Sequence, residues 1–352
     1  MGAEASKNLP EFILFGDSLT TWSFDELTKG YGLHLERMYA GKVRIVNEGF
    51  QAAAHKQVAH SRTPSRSTEM TNSKQLSEIV LFCASMTEWS FDEKTRGLGW
   101  YLERMYASKA NVLNEGQAGY TSSALKHDFD RIITRATHPS TPPTLLFTIF
   151  LGANDAAIIN GQDAYVPWPT FAVNIRAFIE TILTQEDGMS ETKIVVITPP
   201  PINIPEALMG GGGGVGEKDE EDVEEVNAWK KEGPRYKTYM SKKRYAEGLM
   251  DIAHEYAETE RVIGVDFWKG IVEEKIKEDG EKTWQEIEES GMWPGSGLIG
   301  AKSFDKGWFT DGLHLDRKGY AVLNRMVEES VLGKWPVLAP EKLEIPVDHE
   351  HE

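Results

Sequence analysis

Short apolar runs, each closed by small or polar residues, alternate along this chain with stretches of helical spacing. The first run, Phe12-Ile13-Leu14-Phe15, reads as a buried strand ending in a Gly16-Asp17-Ser18 turn. Residues 144–151 (TLLFTIFL) form a continuous apolar run, the pattern of a central parallel strand covered on both faces. Residues 193–198 (KIVVIT) form another, stopped by Pro199-Pro200-Pro201, and residues 261–267 read as the last strand. Between and after them, residues 121–136, 171–183, 236–258, 270–290 and 318–332 carry helical spacing. Alternating strand and helix predicts a parallel sheet with helices on both faces.

An internal repeat interrupts this pattern. Residues 13–49 and 80–116 align without gaps, and 22 of the 37 positions are identical, enough to mark a duplication. Trp22-Ser23-Phe24-Asp25-Glu26 returns as Trp89-Ser90-Phe91-Asp92-Glu93, and Asn47-Glu48-Gly49 returns as Asn114-Glu115-Gly116. Each copy reads strand, loop, helix, strand. The copies diverge at their turns. Gly16-Asp17-Ser18-Leu19 becomes Cys83-Ala84-Ser85-Met86, so only the serine persists. After the second strand, copy 1 continues Phe50-Gln51-Ala52, whereas copy 2 continues Gln117-Ala118-Gly119-Tyr120. The predicted organisation is one domain over residues 11–335 that contains this duplication. Within it lie a polar linker at 52–77 and a glycine-rich acidic surface insertion at 210–225, and a loose tail follows at 336–352.

Composition narrows the function classes. The 352 residues are 40% hydrophobic and 26% charged, as in globular proteins. A net charge of −17 argues against nucleic acid or an anionic membrane as partner. The single cysteine, Cys83, rules out an internal disulfide, suits a reducing compartment and reads as a buried, inert thiol. No apolar run reaches transmembrane length, and residues 1–11 lack a secretory core, so a cytoplasmic location is expected. Gly2 and Ser6 fit a short myristoylation pattern, which alone anchors only marginally.

The turns carry the candidate chemistry. Ser18 lies just past the carboxyl end of a buried strand, where open α/β sheets hold ligands, and Gly16 permits the tight turn. A serine needs a base. His55 and His60 fall in the linker, His349 and His351 in the tail, and His34 is matched by Tyr101 in the repeat. His127, His138 and His254 lack a neighbouring partner motif. His314 has Asp311 three residues before it, a spacing that lets the carboxylate fold back onto the imidazole. Candidate donors to an oxyanion are the Ser18 amide, a glycine amide such as that of Gly119, and the Asn154 side chain in Gly152-Ala153-Asn154-Asp155.

This ordered set (Gly-Asp-Ser-Leu, Asn-x-Gly-x-x-Gly-Tyr, Gly-x-Asn-Asp and Asp-x-x-His) resembles the GDSL/SGNH hydrolases, above all the isoamyl acetate-hydrolysing esterases. The resemblance implies a three-layer α/β/α sandwich with a flavodoxin-like parallel sheet. It implies Ser18 as nucleophile, Ser18, Gly119 and Asn154 as oxyanion donors, and His314 as base oriented by Asp311. It implies no metal and no organic cofactor. The expected activity is hydrolysis of small acetate-type esters, with a small-molecule ester as partner, no nucleic acid and no stable insertion in a membrane.

The duplication leaves two assemblies open. In one, the first copy supplies Ser18 and the second supplies Gly119. In the other, the second copy folds contiguously with the rest, and Ser85 stands at the nucleophile position. Contiguity favours the second, although closure cost grows slowly with loop length. There Ala84 removes the acid beside the serine and Cys83 is expected to strain the turn, which favours weak or absent activity. A catalytically impaired pseudoenzyme or interaction protein is therefore an alternative, and a carbohydrate deacetylase is a weaker one.

Overall fold

The computed structural model describes residues 11–16, 44–49, 76–158, 164–204, 220–280 and 282–343. The chain divides into two compact units, Met1–Thr71 and Asn72–Glu352. In the first unit, β1 (Glu11–Gly16) and β2 (Arg44–Gly49) form a two-stranded parallel sheet, with Leu14 opposite Asn47 and Gly16 opposite Gly49.

The second unit starts the strand–helix alternation afresh. β3 (Ser77–Cys83) leads through a sharp turn into α1 (Ser85–Glu88), then α2 (Leu98–Met105) and β4 (Ala110–Gly116). Next come α3 (Lys126–Ala136), β5 (Thr144–Phe150), α4 (Trp168–Leu183) and β6 (Lys193–Ile197). α5 (Glu220–Glu232), α6 (Pro234–Glu255) and β7 (Val262–Val265) follow. The unit closes with α7 (Phe267–Asp279), α8 (Trp284–Ser290) and α9 (Arg317–Lys334). The sheet is wholly parallel, in the order β4-β3-β5-β6-β7. Counted within this unit the order is 2-1-3-4-5, the flavodoxin-like order, whose switch point lies between β3 and β5. Copy 2 pairs in the register of copy 1: Leu81 lies opposite Asn114, as Leu14 lies opposite Asn47.

Alternating side chains of β3 feed two cores, because successive residues of a strand face opposite ways. Ile79, Leu81 and Cys83 join a cluster with Leu98 and Leu102 of α2, Ile271 of α7 and Leu323 of α9. Val80 and Phe82 join the opposite cluster with Phe129 of α3 and Phe178 of α4. Phe82 meets the Phe178 ring edge-on at 5.4 Å. α6 serves both cores, Tyr239 and Ala246 in the first, Tyr245 and Leu249 in the second. These layers are the expected α/β/α sandwich.

Three segments differ from their sequence reading. The helical stretch at 270–290 is two helices: Gly280, at φ +66°, ends α7, and a capping box between Thr283 and Glu286 starts α8. The acidic run 217–225 is helical from Glu220, and this helix is tethered on its other side. Asn227 exchanges hydrogen bonds with the Ile299 backbone at 2.8 and 3.1 Å, and Lys230 donates to Gly297 O at 2.9 Å. Residues 336–343 are not loose. They form two 3-10 turns, with Trp335 and Leu338 buried beside Tyr106, whose hydroxyl donates to Leu338 O at 2.9 Å. Residues 210–214 and residues 52–75 of the linker expected at 52–77 lie outside the described residues, and Ser77 at the end of that linker already belongs to β3. Among the described residues no helix is long and apolar enough to cross a membrane.

Candidate active site

The sheet fixes the first element of the site. β3 is the switch-point strand, and the chain leaves its end through Ala84 (φ −94°, ψ −141°) into α1, whose first residue is Ser85. No residue of the Cys83-Ala84-Ser85 turn has a positive φ, so the backbone there does not require the glycine that copy 1 has. Cys83 is buried, its Sγ donates to Phe150 O, and burial pushes its thiol up to about 12. Close packing here depends on Gly116 at the end of β4. A Cβ on it would stand 2.3 Å from Glu88 N and 3.0 Å from Ala84 O.

Residues 305–316 carry His314, the candidate base. Asn203 N donates to Gly312 O at 2.7 Å, and the Asn203 side chain brackets the Phe304 backbone, fixing the turn before His314. Asp311 Oδ1 accepts the amides of Leu313 at 2.9 Å and His314 at 2.8 Å. Its Oδ2 lies 2.6 Å from His314 Nδ1, and His314 Nε2 lies 3.0 Å from Ser85 Oγ. Burial pushes the Asp311 carboxyl up, but the hydrogen bond and charge of His314 and the two amides outweigh it, holding the group down to about 2. An anionic Asp311 makes Nδ1 the donor, which leaves Nε2 as acceptor for the Ser85 hydroxyl; this tautomer is assigned from the network.

The candidate oxyanion donors Gly119 and Asn154 lie in the turns after β4 and β5. Gly119 is exposed, with φ +78°, a conformation that favours glycine. Neither Ser85 N nor Gly119 N donates to a protein acceptor among the described residues. Asn154 Nδ2 donates to Tyr120 O at 2.8 Å, which orients the amide and leaves its second hydrogen available. Asp155 beside it is 1% exposed, and its Oδ1 accepts Ser122 N at 2.8 Å. Burial raises its carboxyl, against the hydrogen bonds from Ser122 and the backbone.

Ser85, Gly119, Asn154, Asp311 and His314 thus all lie in the second unit, with Ser85, His314 and Asp311 in one hydrogen-bonded chain. Ser18 lies outside the described residues, as do Gly2 and His34. Several supporting residues had no signal in the linear pattern. The Trp89 ring packs on His314 at 4.3 Å between centroids, and Tyr320 OH donates to Met86 O at 2.9 Å, tying α9 to α1. Lys242 of α6 is fully buried, and its amine has no hydrogen-bond partner among the described residues. Burial lowers its amine to about 7, against the opposing charge of Asp311. Only long-range packing brings these groups together, so spacing along the chain could not reveal them.

Comparison with known proteins identifies the family. The chain is 31% identical over 125 residues to a bovine isoamyl acetate-hydrolyzing esterase 1 homolog, a match covering 35% of this chain and 48% of that protein. It therefore spans about half the length of that relative. A GDSL esterase/lipase of Arabidopsis thaliana is 27% identical over 277 residues, covering 78% of this chain and 91% of the other. A crystal structure of a lipase/acylhydrolase from Enterococcus faecalis superposes with a TM-score of 0.44 at 18% identity, over 74% of this chain and 97% of that one. The family model for GDSL-like lipases and acylhydrolases matches residues 12–327, and the chain belongs to that family.

Proposed function

We propose that this protein is a serine esterase acting on small carboxylic esters of the acetate type, with Ser85 as nucleophile. The observation that carries this reading is the 3.0 Å contact between Ser85 Oγ and His314 Nε2, continued to Asp311 at 2.6 Å. In the proposed reaction Ser85 Oγ attacks the ester carbonyl carbon while Nε2 takes its proton. Asp311 holds the imidazole and stabilises the imidazolium that forms. The carbonyl oxygen becomes an oxyanion facing Ser85 N, Gly119 N and the Asn154 amide. The imidazolium then protonates the leaving alcohol, and the acyl group remains on Ser85. Water attacks the acyl-enzyme with His314 again as base, which releases the carboxylic acid and restores the serine.

Two facts support the ester class: family membership and the esterase names of the relatives, one of which refers to isoamyl acetate. The test is a substrate panel of acetate esters of short alcohols, longer acyl esters and acetylated sugars, run on wild type, Ser85→Ala and Asn154→Ala. The short acetates should be hydrolysed fastest, Ser85→Ala should abolish turnover, and Asn154→Ala should cost about 10²–10³ in kcat. Preferred hydrolysis of acetylated sugars would reassign the substrate. No turnover on any ester by folded protein would leave the impaired-enzyme alternative.

A further inference from the structure

The loop that carries Gly119 is held at both ends. Asp155 takes the Ser122 amide at its far end, and Asn174 of α4 adds a 3.0 Å bond to Ser122 Oγ. At its near end, Gln117 N donates to Cys83 O at 3.0 Å, and the Glu88 carboxylate accepts the next amide but one before Gly119's successor, that of Ala118. Glu88 is the last residue of α1, the helix that Ser85 begins, and its own carbonyl accepts Asn114 Nδ2 at 3.0 Å. One short helix thus carries the serine at one end and a clasp on the neighbouring loop at the other. The repeat makes the clasp specific to the second copy. Copy 1 has Thr21 in place of Glu88 and Ala52 in place of Gly119, so the carboxylate and the glycine occur together in one copy only.

We infer that Glu88 is a positioning residue for the oxyanion hole, holding Ala118 so that the adjacent Gly119 amide stays fixed relative to Ser85. The inference rests on the proposed role of Ser85 and Gly119. Glu88 acts through the loop and does not touch the reacting atoms. Its effect is geometric: a donor displaced by about 1 Å loses much of its stabilisation of the developing charge.

The test uses the full chain as wild type, Glu88→Ala and Glu88→Gln, with p-nitrophenyl acetate as probe. Amide hydrogen exchange of the peptide spanning residues 116–122 is followed in parallel. Glu88→Ala should lower kcat about 10- to 100-fold with KM within about twofold, and the peptide should exchange faster. Glu88→Gln keeps an acceptor for the Ala118 amide and should recover most of both. Unchanged kcat in Glu88→Ala, a change in KM alone, or equal damage in both variants would overturn the inference while leaving the esterase reading intact. If wild type hydrolyses no ester, that reading fails instead, and unchanged exchange in Glu88→Ala would still overturn the clasp.

Discussion

Asp311 has a side chain 44% exposed at the rim of the site, yet His314 and two amides hold its carboxyl down to about 2 against an ordinary 3.8. Because the folded value is the lower one, Asp311 stabilises the fold above about pH 3.8, and that contribution is lost as pH falls toward 2. Asp311→Asn should therefore fall behind wild type in stability at neutral pH and converge with it below pH 2, as acid-unfolding curves will show. The same change leaves His314 without its anionic partner and favours the wrong tautomer. It should cost about 10³–10⁴ in kcat, read from the hydrolysis of a short acetate ester. Lys242 shares the pH direction of Asp311 but enters as a penalty rather than a contribution. Its amine falls from an ordinary 10.5 to about 7 through burial, so the folded state carries a penalty below pH 7 that fades as pH rises toward 10.5. Lys242→Met should be more stable than wild type at pH 6, by on the order of a few kcal/mol. That advantage should shrink by pH 10, which thermal melts at the two pH values will measure.

At the scale of elements, residues 335–343 form a strap rather than a loose tail, and residues 344–352 lie outside the described residues. Trp335 is buried, and its indole donates to Glu260 O at 2.9 Å. Leu338 covers the same core and accepts the Tyr106 hydroxyl, while Lys109 reaches Leu343 O at 2.9 Å. Truncation after Lys334 exposes Tyr106 and leaves its hydroxyl without this acceptor. It should lower the melting temperature by several degrees, since burying a large side chain contributes about 1.5–3 kcal/mol. The apolar runs for β5, β6 and β7 were legible in the sequence because a strand covered on both faces leaves a continuous apolar signature. The strap was not legible, because Trp335 and Leu338 satisfy no period within so short a segment. The division of α7 from α8 was written in Gly280 and in Thr283 with Glu286, a capping pair that the broad helical spacing obscured.

At the scale of the whole molecule, the duplication decides what could be read in advance. Asp311, His314, Gly119 and Asn154 stood out as motifs because each lies at a turn where its residue type has a chemical use. The serine was ambiguous because the familiar Gly-Asp-Ser-Leu block stands in copy 1, whereas the strand that pairs with β5 is β3 of copy 2. Cys83 looked unsuited to a nucleophile turn because glycine stands there in copy 1, and Ala84 because it replaces the acid Asp17. Negative φ throughout removes the need for a glycine at Cys83, and fluorophosphonate labelling bears on the lost acid at Ala84. Since Ser85, Gly119, Asn154, Asp311 and His314 all belong to the Asn72–Glu352 unit, a chain starting at Asn72 should keep most of the wild-type kcat/KM on a short acetate ester. A loss of 100-fold or more in such a chain, still folded by circular dichroism, would mean that residues 1–71 contribute to the site.

The most direct measurement is labelling with a fluorophosphonate, followed by peptide mapping, on wild type, Ser18→Ala and Ser85→Ala. Such a probe bonds only to a serine activated by its base. The label should sit on the Ser85 peptide, persist in Ser18→Ala and vanish in Ser85→Ala. Label on Ser18, or none on folded wild-type protein, would contradict the assignment of Ser85 as nucleophile.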